Sequence, residues 1–152
     1  MEGSTLAELS DAGSDRSGEP TAPFLRILLV EDEAVLRKVI ARNLSAQGNI
    51  VEEAASAAEA VTKAVESQID LLLLDINLPD RSGWDVLREL RQLGIVVPTI
   101  IVSAVRVSRA RLDEFRPMAY LPKPFPLESL LRIAEEVRVR NRPTIRGFVG
   151  PQ

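Results

Sequence analysis

Four unbroken apolar runs, each ending in a polar residue, constrain this chain most. Ile27-Leu28-Leu29-Val30 ends in Glu31-Asp32, and Leu71-Leu72-Leu73-Leu74 ends in Asp75. Thr99-Ile100-Ile101-Val102 ends in Ser103, and the shorter Tyr120-Leu121-Pro122 ends in Lys123. Runs without period-two alternation predict strands covered on both faces, the pattern of a parallel sheet. In an open parallel sheet the strand ends share one rim, and ligands bind at that carboxyl rim.

Between these runs the apolar spacing is helical. It predicts helices over 33–47, 84–92, 107–115 and 126–140, another that starts at Ser56, and a further short strand near 49–53. Leu36, Val39, Ile40, Asn43 and Leu44 mark the first helix, which Gly48 stops. Ser56 and Glu59 have the spacing of a capping box, ahead of a stripe of Ala57, Ala60, Val61, Ala64 and Val65. Val86, Leu87 and Leu90 point inward from the third helix, which ends near Gly94. Leu127, Leu130, Leu131, Ala134 and Val137 do so from the last. Five β-α units with right-handed crossovers make a doubly wound sheet with helices on both faces. Either common strand order fits this pattern.

Composition narrows the chemistry. The 152 residues suit one domain, and a net charge of −3 does not by itself call for a nucleic-acid or membrane partner. There is no Cys and no His, which removes disulfides, thiolate metal sites and imidazole bases. No apolar run is long enough to span a bilayer, and the first 22 residues lack the basic start and apolar stretch of a signal peptide, so cytoplasmic residence is expected. Residues 1–24 carry five acids against one Arg and read as a disordered acidic tail. Residues 25–140 form the domain, and 141–152 read as a flexible basic tail; from Val137 onward there are four arginines and no acid.

Three carboxylates, Glu31, Asp32 and Asp75, are thus expected on one rim. Like charges raise one another's pKa, so the group asks for a cation. Hard oxygen ligands of this kind suit Mg²⁺. Lys123, between Pro122 and Pro124, is placed to neutralise a phosphoryl group on Asp75, and Ser103 to donate a hydrogen bond to it. Taken singly, each has an ordinary surface role: a helix cap for Asp32 or Ser103, a turn for Lys123. Together they describe a carboxylate nucleophile for phosphorus. The chain lacks a G-x-x-x-x-G-K-[ST] loop, so the phosphoryl donor is expected to be another molecule.

These stretches, with Asp75-Ile76-Asn77-Leu78-Pro79-Asp80, Ser82-Gly83, Ser103-Ala104 and Lys123-Pro124-Phe125, resemble the receiver domain of two-component response regulators. The resemblance covers residues 25–140. It implies a flavodoxin-like, doubly wound, five-stranded parallel sheet of order 2-1-3-4-5 with five helices. It also implies that Asp75 is the phosphoacceptor, with Mg²⁺ held by Asp32, Asp75 and the backbone carbonyl of Asn77, and by Glu31 through water. Lys123 would contact the acyl phosphate, next to a cis Lys123–Pro124 bond. Ser103 and Tyr120 would form the switch, and Gly83 would relieve the backbone before the third helix. The implied partners are a histidine kinase or phosphotransfer protein and a downstream protein target, with a possible dimer through the face of the fourth and fifth helices. Only a dozen residues follow the last helix, so output is expected through protein contacts rather than a DNA-binding domain. A pseudo-receiver working without phosphorylation is the alternative; a phosphatase of the haloacid-dehalogenase type would want a second Asp where Asn77 stands. The segment between Ser103 and Lys123 departs from the family pattern. It is about two residues short and rich in arginine (Arg106, Arg109, Arg111 and Arg116).

Overall fold

A computed structural model describes residues 24–141. The proposed acidic tail apart from Phe24, and the proposed basic tail apart from Asn141, lie outside the described residues. Among these are five strands and five helices. The strands are β1 (Arg26–Val30), β2 (Ile50–Ala54), β3 (Leu71–Asp75), β4 (Thr99–Ser103) and β5 (Ala119–Pro122). The helices are α1 (Ala34–Ala46), α2 (Ala57–Glu66), α3 (Gly83–Gln92), α4 (Arg109–Phe115) and α5 (Leu127–Arg140). All strand pairs are parallel, in the order β2-β1-β3-β4-β5. This settles which doubly wound order the pattern adopts.

Alternate residues of each strand face opposite sides of the sheet, and the core divides accordingly. Ile27, Leu29, Leu71, Leu73, Ile100 and Val102 pack against Ile40 and Leu44 of α1 and Leu130 and Ala134 of α5. Leu28, Val30, Leu72, Leu74 and Ile101 pack against Ala57, Ala60 and Ala64 of α2 and Trp84, Val86 and Leu90 of α3. The uninterrupted apolar strands are therefore the inner ones. β2 and β5, with Glu52, Glu53 and Pro122, take the two edges, where a proline removes no needed ladder bond.

Local chemistry sets the element ends. The chain leaves α1 through Gly48 at φ 101°, and the N–H groups of Gly48 and Asn49 close on the carbonyls of Ser45 and Leu44. The Ser56 hydroxyl accepts from Glu59 N–H at 3.2 Å, but the Glu59 carboxylate reaches Ala55 N–H rather than Ser56. The expected box is therefore shifted by one residue. The reciprocal box forms instead at α3, between Ser82 and Asp85. Two expected core residues lie on the surface: Val39 is 42% and Val65 57% exposed. The packing face of α1 is Ile40, Ala41 and Leu44, and that of α2 is Ala57, Ala60 and Ala64.

Candidate functional site

The rim residues meet as the strand ends predict. Glu31 follows β1 and is 1% exposed, Asp75 closes β3 at 3% and Ser103 closes β4 at 1%. Lys123 follows β5, its N–H continuing the ladder to the Ser103 carbonyl at 2.8 Å. Its ammonium lies between the two buried carboxylates, 2.8 Å from Glu31 Oε1 and 2.9 Å from Asp75 Oδ2. Carboxylate oxygens of Glu31, Asp32 and Asp75 lie within 4.8 Å of one another. Asp32 is the exposed member, and it does not cap α1; the cap position belongs to Glu33, whose side chain makes no capping bond.

Two carboxylates share one ammonium at this rim. Burial pushes the Glu31 carboxyl above its ordinary value and the charge of Asp75 adds to this, outweighing the bonds from Lys123 and Glu33 N–H. Burial disfavours the Lys123 ammonium, yet its bonds to Glu31 and Asp75 win and hold its pKa above the ordinary lysine value. The lysine thus stays charged and acts as counter-ion to two carboxylates. A divalent cation fits the same donor set: three hard oxygen donors on one rim, with Asp32 open to solvent for retained waters.

Of the remaining expected residues, Asn77 bonds directly to Asp75 and Ser103 to the Lys123 backbone. Asn77 is exposed, and its N–H donates to Asp75 Oδ1 at 3.1 Å, fixing that carboxylate. Ser103 Oγ donates to the Val105 carbonyl at 2.8 Å and accepts from Val105 N–H at 3.0 Å. Its hydroxyl is thus engaged with the loop that leads to α4. Tyr120 is half-buried and packs on the α2–α3 side of the sheet. The Lys123–Pro124 peptide is cis. Gly83 is required for space rather than for an unusual φ: a Cβ there would lie 2.7 Å from the Asp75 carbonyl oxygen.

Two contributors, Arg37 and Ser108, escaped the sequence reading, and a third, Asp80, stood in its motif without a role. Arg37 donates to the Glu31 carbonyl at 2.9 Å and pairs with Glu53 at 3.0 Å, bracing the β1 end. Asp80 accepts from Ala57 and Ala58 N–H at 2.8 and 2.9 Å, so the loop after Asp75 caps α2. These backbone bonds hold the Asp80 carboxyl below its ordinary pKa. Ser108 caps α4. Its S-x-x-R sequence lacks the acidic fourth residue that marks a capping box, whereas nothing local marks Arg37 or the capping role of Asp80.

Comparison with known proteins agrees with this geometry. Residues 27–135 match the response regulator receiver domain family. The response regulator protein PmrA of Pseudomonas aeruginosa is 39% identical over 108 residues, covering 70% of this chain and 49% of that protein. Response regulator MprA of Mycobacterium avium is 35% identical over 121 residues, covering 78% and 53%. The chain therefore spans about half the length of these curated relatives. Among solved structures, the non-phosphorylated HemR receiver domain of Leptospira biflexa has a TM-score of 0.71 at 31% identity, covering 78% of this chain and 98% of that one. Response regulator protein TrrA of Thermotoga maritima, solved in complex with Mg(2+)-BeF, has a TM-score of 0.67 at 28% identity, covering 75% and 99%. No helix of the described residues is long and apolar enough to cross a membrane. The order of the sheet, the acidic rim with its lysine and the match over residues 27–135 lead to one assignment: this chain belongs to the response regulator receiver domain family of two-component signalling.

Proposed function

We propose that Asp75 accepts a phosphoryl group from a phosphohistidine on a partner kinase or phosphotransfer protein. The observation that carries this is the Lys123 ammonium seated between buried Glu31 and Asp75. An Asp75 carboxylate oxygen bonds to phosphorus as the phosphorus–nitrogen bond of the donor breaks, and the leaving imidazole keeps the electron pair and takes up a proton. The negative charge arriving on Asp75 is met by Lys123, which already faces it. Asp32, Asp75 and the Asn77 carbonyl would hold Mg²⁺ directly, with Glu31 acting through water; when bound, the ion supplies charge neutralisation for the phosphoryl oxygens.

The same proposal assigns the switch. Ser103 leaves Val105 to donate to the phosphoryl group, Tyr120 follows inward, and the β4–α4 loop moves with them. Output runs through protein contacts of the receiver, with self-association through α4 and α5 as one form. Residues 25–140 are the proposed working unit, flanked by the acidic and basic tails.

Acetyl phosphate with Mg²⁺, followed by intact-mass measurement, tests the proposal. A single phosphoryl adduct is expected in the wild type, and none in Asp75→Asn or in the presence of a chelator. Absence of the adduct in the wild type would favour a pseudo-receiver. Rapid turnover of unrelated phosphate esters would favour a phosphatase.

A further inference from the structure

Helix α4 is weakly embedded. It has seven residues and none of them is buried; a helix this short does not persist without outside support. Its support is concentrated in its last turn, at Phe115. That ring stacks on Trp84 of α3, with centroids 5.2 Å apart and planes 22° from parallel. Arg88 and Arg91 of α3 set their guanidinium carbons 5.3 and 4.9 Å from the Phe115 centroid. Arg111 of α4 returns the contact at 6.0 Å from the Trp84 ring. Each helix therefore supplies cations to the other's aromatic ring. Arg91 also donates to the Glu114 carbonyl at 3.1 Å, occupying an acceptor in the last turn of α4.

The other end of this contact reaches Asp75. Trp84 follows Gly83, whose missing Cβ lets α3 start against the Asp75 carbonyl and whose N–H donates to Ile76 O at 2.8 Å. At its own start α4 follows the Ser103–Val105 loop. Both ends of α4 are thus tied to the phosphoacceptor rim, one through the Ser103 hydroxyl and one through Trp84.

We propose that the Trp84–Phe115 stack, with Arg88, Arg91 and Arg111, is a latch that holds α4 on α3, and that its opening is how α4 answers a phosphoryl group on Asp75. The second clause rests on the function proposed above; the first does not. Aromatic and cation–π contacts of this number shift an equilibrium by about thirtyfold to a thousandfold. That is enough to keep α4 docked, and small enough for one local change of charge to reverse it.

Hydrogen exchange on the full chain tests the latch without any phosphodonor. The Arg88→Gln/Arg91→Gln pair removes two cations and leaves the apolar core intact. It is expected to speed amide exchange in 109–115 about fivefold or more, with Leu71–Leu74 unchanged. Phe115→Leu, which keeps apolar volume but no ring, is expected to act in the same direction and to shift the emission of Trp84, the single tryptophan. Unchanged α4 exchange in the arginine pair overturns the latch. Acetyl phosphate with Mg²⁺ then tests the coupling, with the adduct verified by intact mass in the same sample. The expected result is a Trp84 shift and faster α4 exchange in the wild type, both diminished in Phe115→Leu. An adduct that leaves Trp84 and α4 unchanged overturns the coupling. Absence of any wild-type adduct refutes the proposed phosphoacceptor function, while the latch is still decided by exchange in the unmodified chain.

Discussion

Replacing Lys123 by Met removes the counter-ion of two buried carboxylates while keeping most of the side-chain volume. Charges 2.8 and 2.9 Å apart attract by about 6 kcal/mol each at an effective dielectric constant of about 20. Desolvation offsets much of this. Removing one partner of a fully buried pair costs about 3–5 kcal/mol, because a bare charge is left behind. The Lys123 side chain is 18% exposed, which places the loss near the lower end, about 3 kcal/mol at pH 7.5 without divalent cation. For a domain of this size that is a fall of about 10 °C in Tm. The loss is expected to shrink on acidification. Glu31 already titrates above 4.5 in the folded protein, and without Lys123 it is expected to titrate higher still. A carboxyl whose folded pKa exceeds its unfolded one binds protons better when folded, so the variant gains stability as pH falls through the folded value and levels off below the unfolded one. Mg²⁺ is expected to restore the missing positive charge, adding about 2.7 kcal/mol at a hundred times Kd and stabilising the variant more than the wild type, in which Lys123 already neutralises Glu31 and Asp75. Thermal melts at pH 5.5 and 7.5, with chelator and with Mg²⁺, test each step. A variant as stable as the wild type in chelator at pH 7.5, or a deficit that ignores both pH and Mg²⁺, would refute the reasoning.

Further expectations follow from single contacts. Gly83→Ala drives a Cβ to 2.7 Å from the Asp75 carbonyl and is expected to cost about 1–3 kcal/mol in denaturant unfolding, like other overpacked sites. Ser82→Ala breaks the α3 capping box and is expected to cost about 1 kcal/mol, read as a lower denaturation midpoint at unchanged slope. Arg116 ends α4 at φ 47°, a left-handed position that favours glycine, so Arg116→Gly is expected to raise stability by up to about 1 kcal/mol. Asp80→Asn weakens the bonds to Ala57 and Ala58 N–H. Because the folded Asp80 pKa is depressed below 3.8, its contribution is present above that value and fades as pH falls through the folded one. The difference in melting temperature between wild type and Asp80→Asn should therefore close in acid.

The legible parts of the molecule were those written in local pattern. Leu71–Leu74 and Ile27–Val30 announce buried strands, and their polar ends announce Asp75, Glu31 and Asp32 as rim residues, because strand direction alone carries them there. Lys123 is legible through the same rule applied to β5. The strand order was not legible from periodicity, since both doubly wound orders produce the same runs; the family resemblance supplied it. Val39 and Val65 misled because helical spacing marks a stripe without saying how much of it the sheet covers; Ile40 and Leu44 fill the contact in α1, and Ala60 and Ala64 in α2. Arg37, the capping role of Asp80 and the Trp84–Phe115 stack were invisible for another reason. Each depends on which elements become neighbours across the fold, a long-range fact that no local window contains.

The central claim is that Asp75 itself takes the phosphoryl group. Reduction with borohydride after incubation with acetyl phosphate and Mg²⁺ converts an aspartyl phosphate to homoserine, and peptide sequencing by mass spectrometry then locates it. The account predicts homoserine at position 75 alone, and none when Mg²⁺ is chelated. Reduction at Glu31, Asp32 or any other acid, with Asp75 untouched, would contradict it.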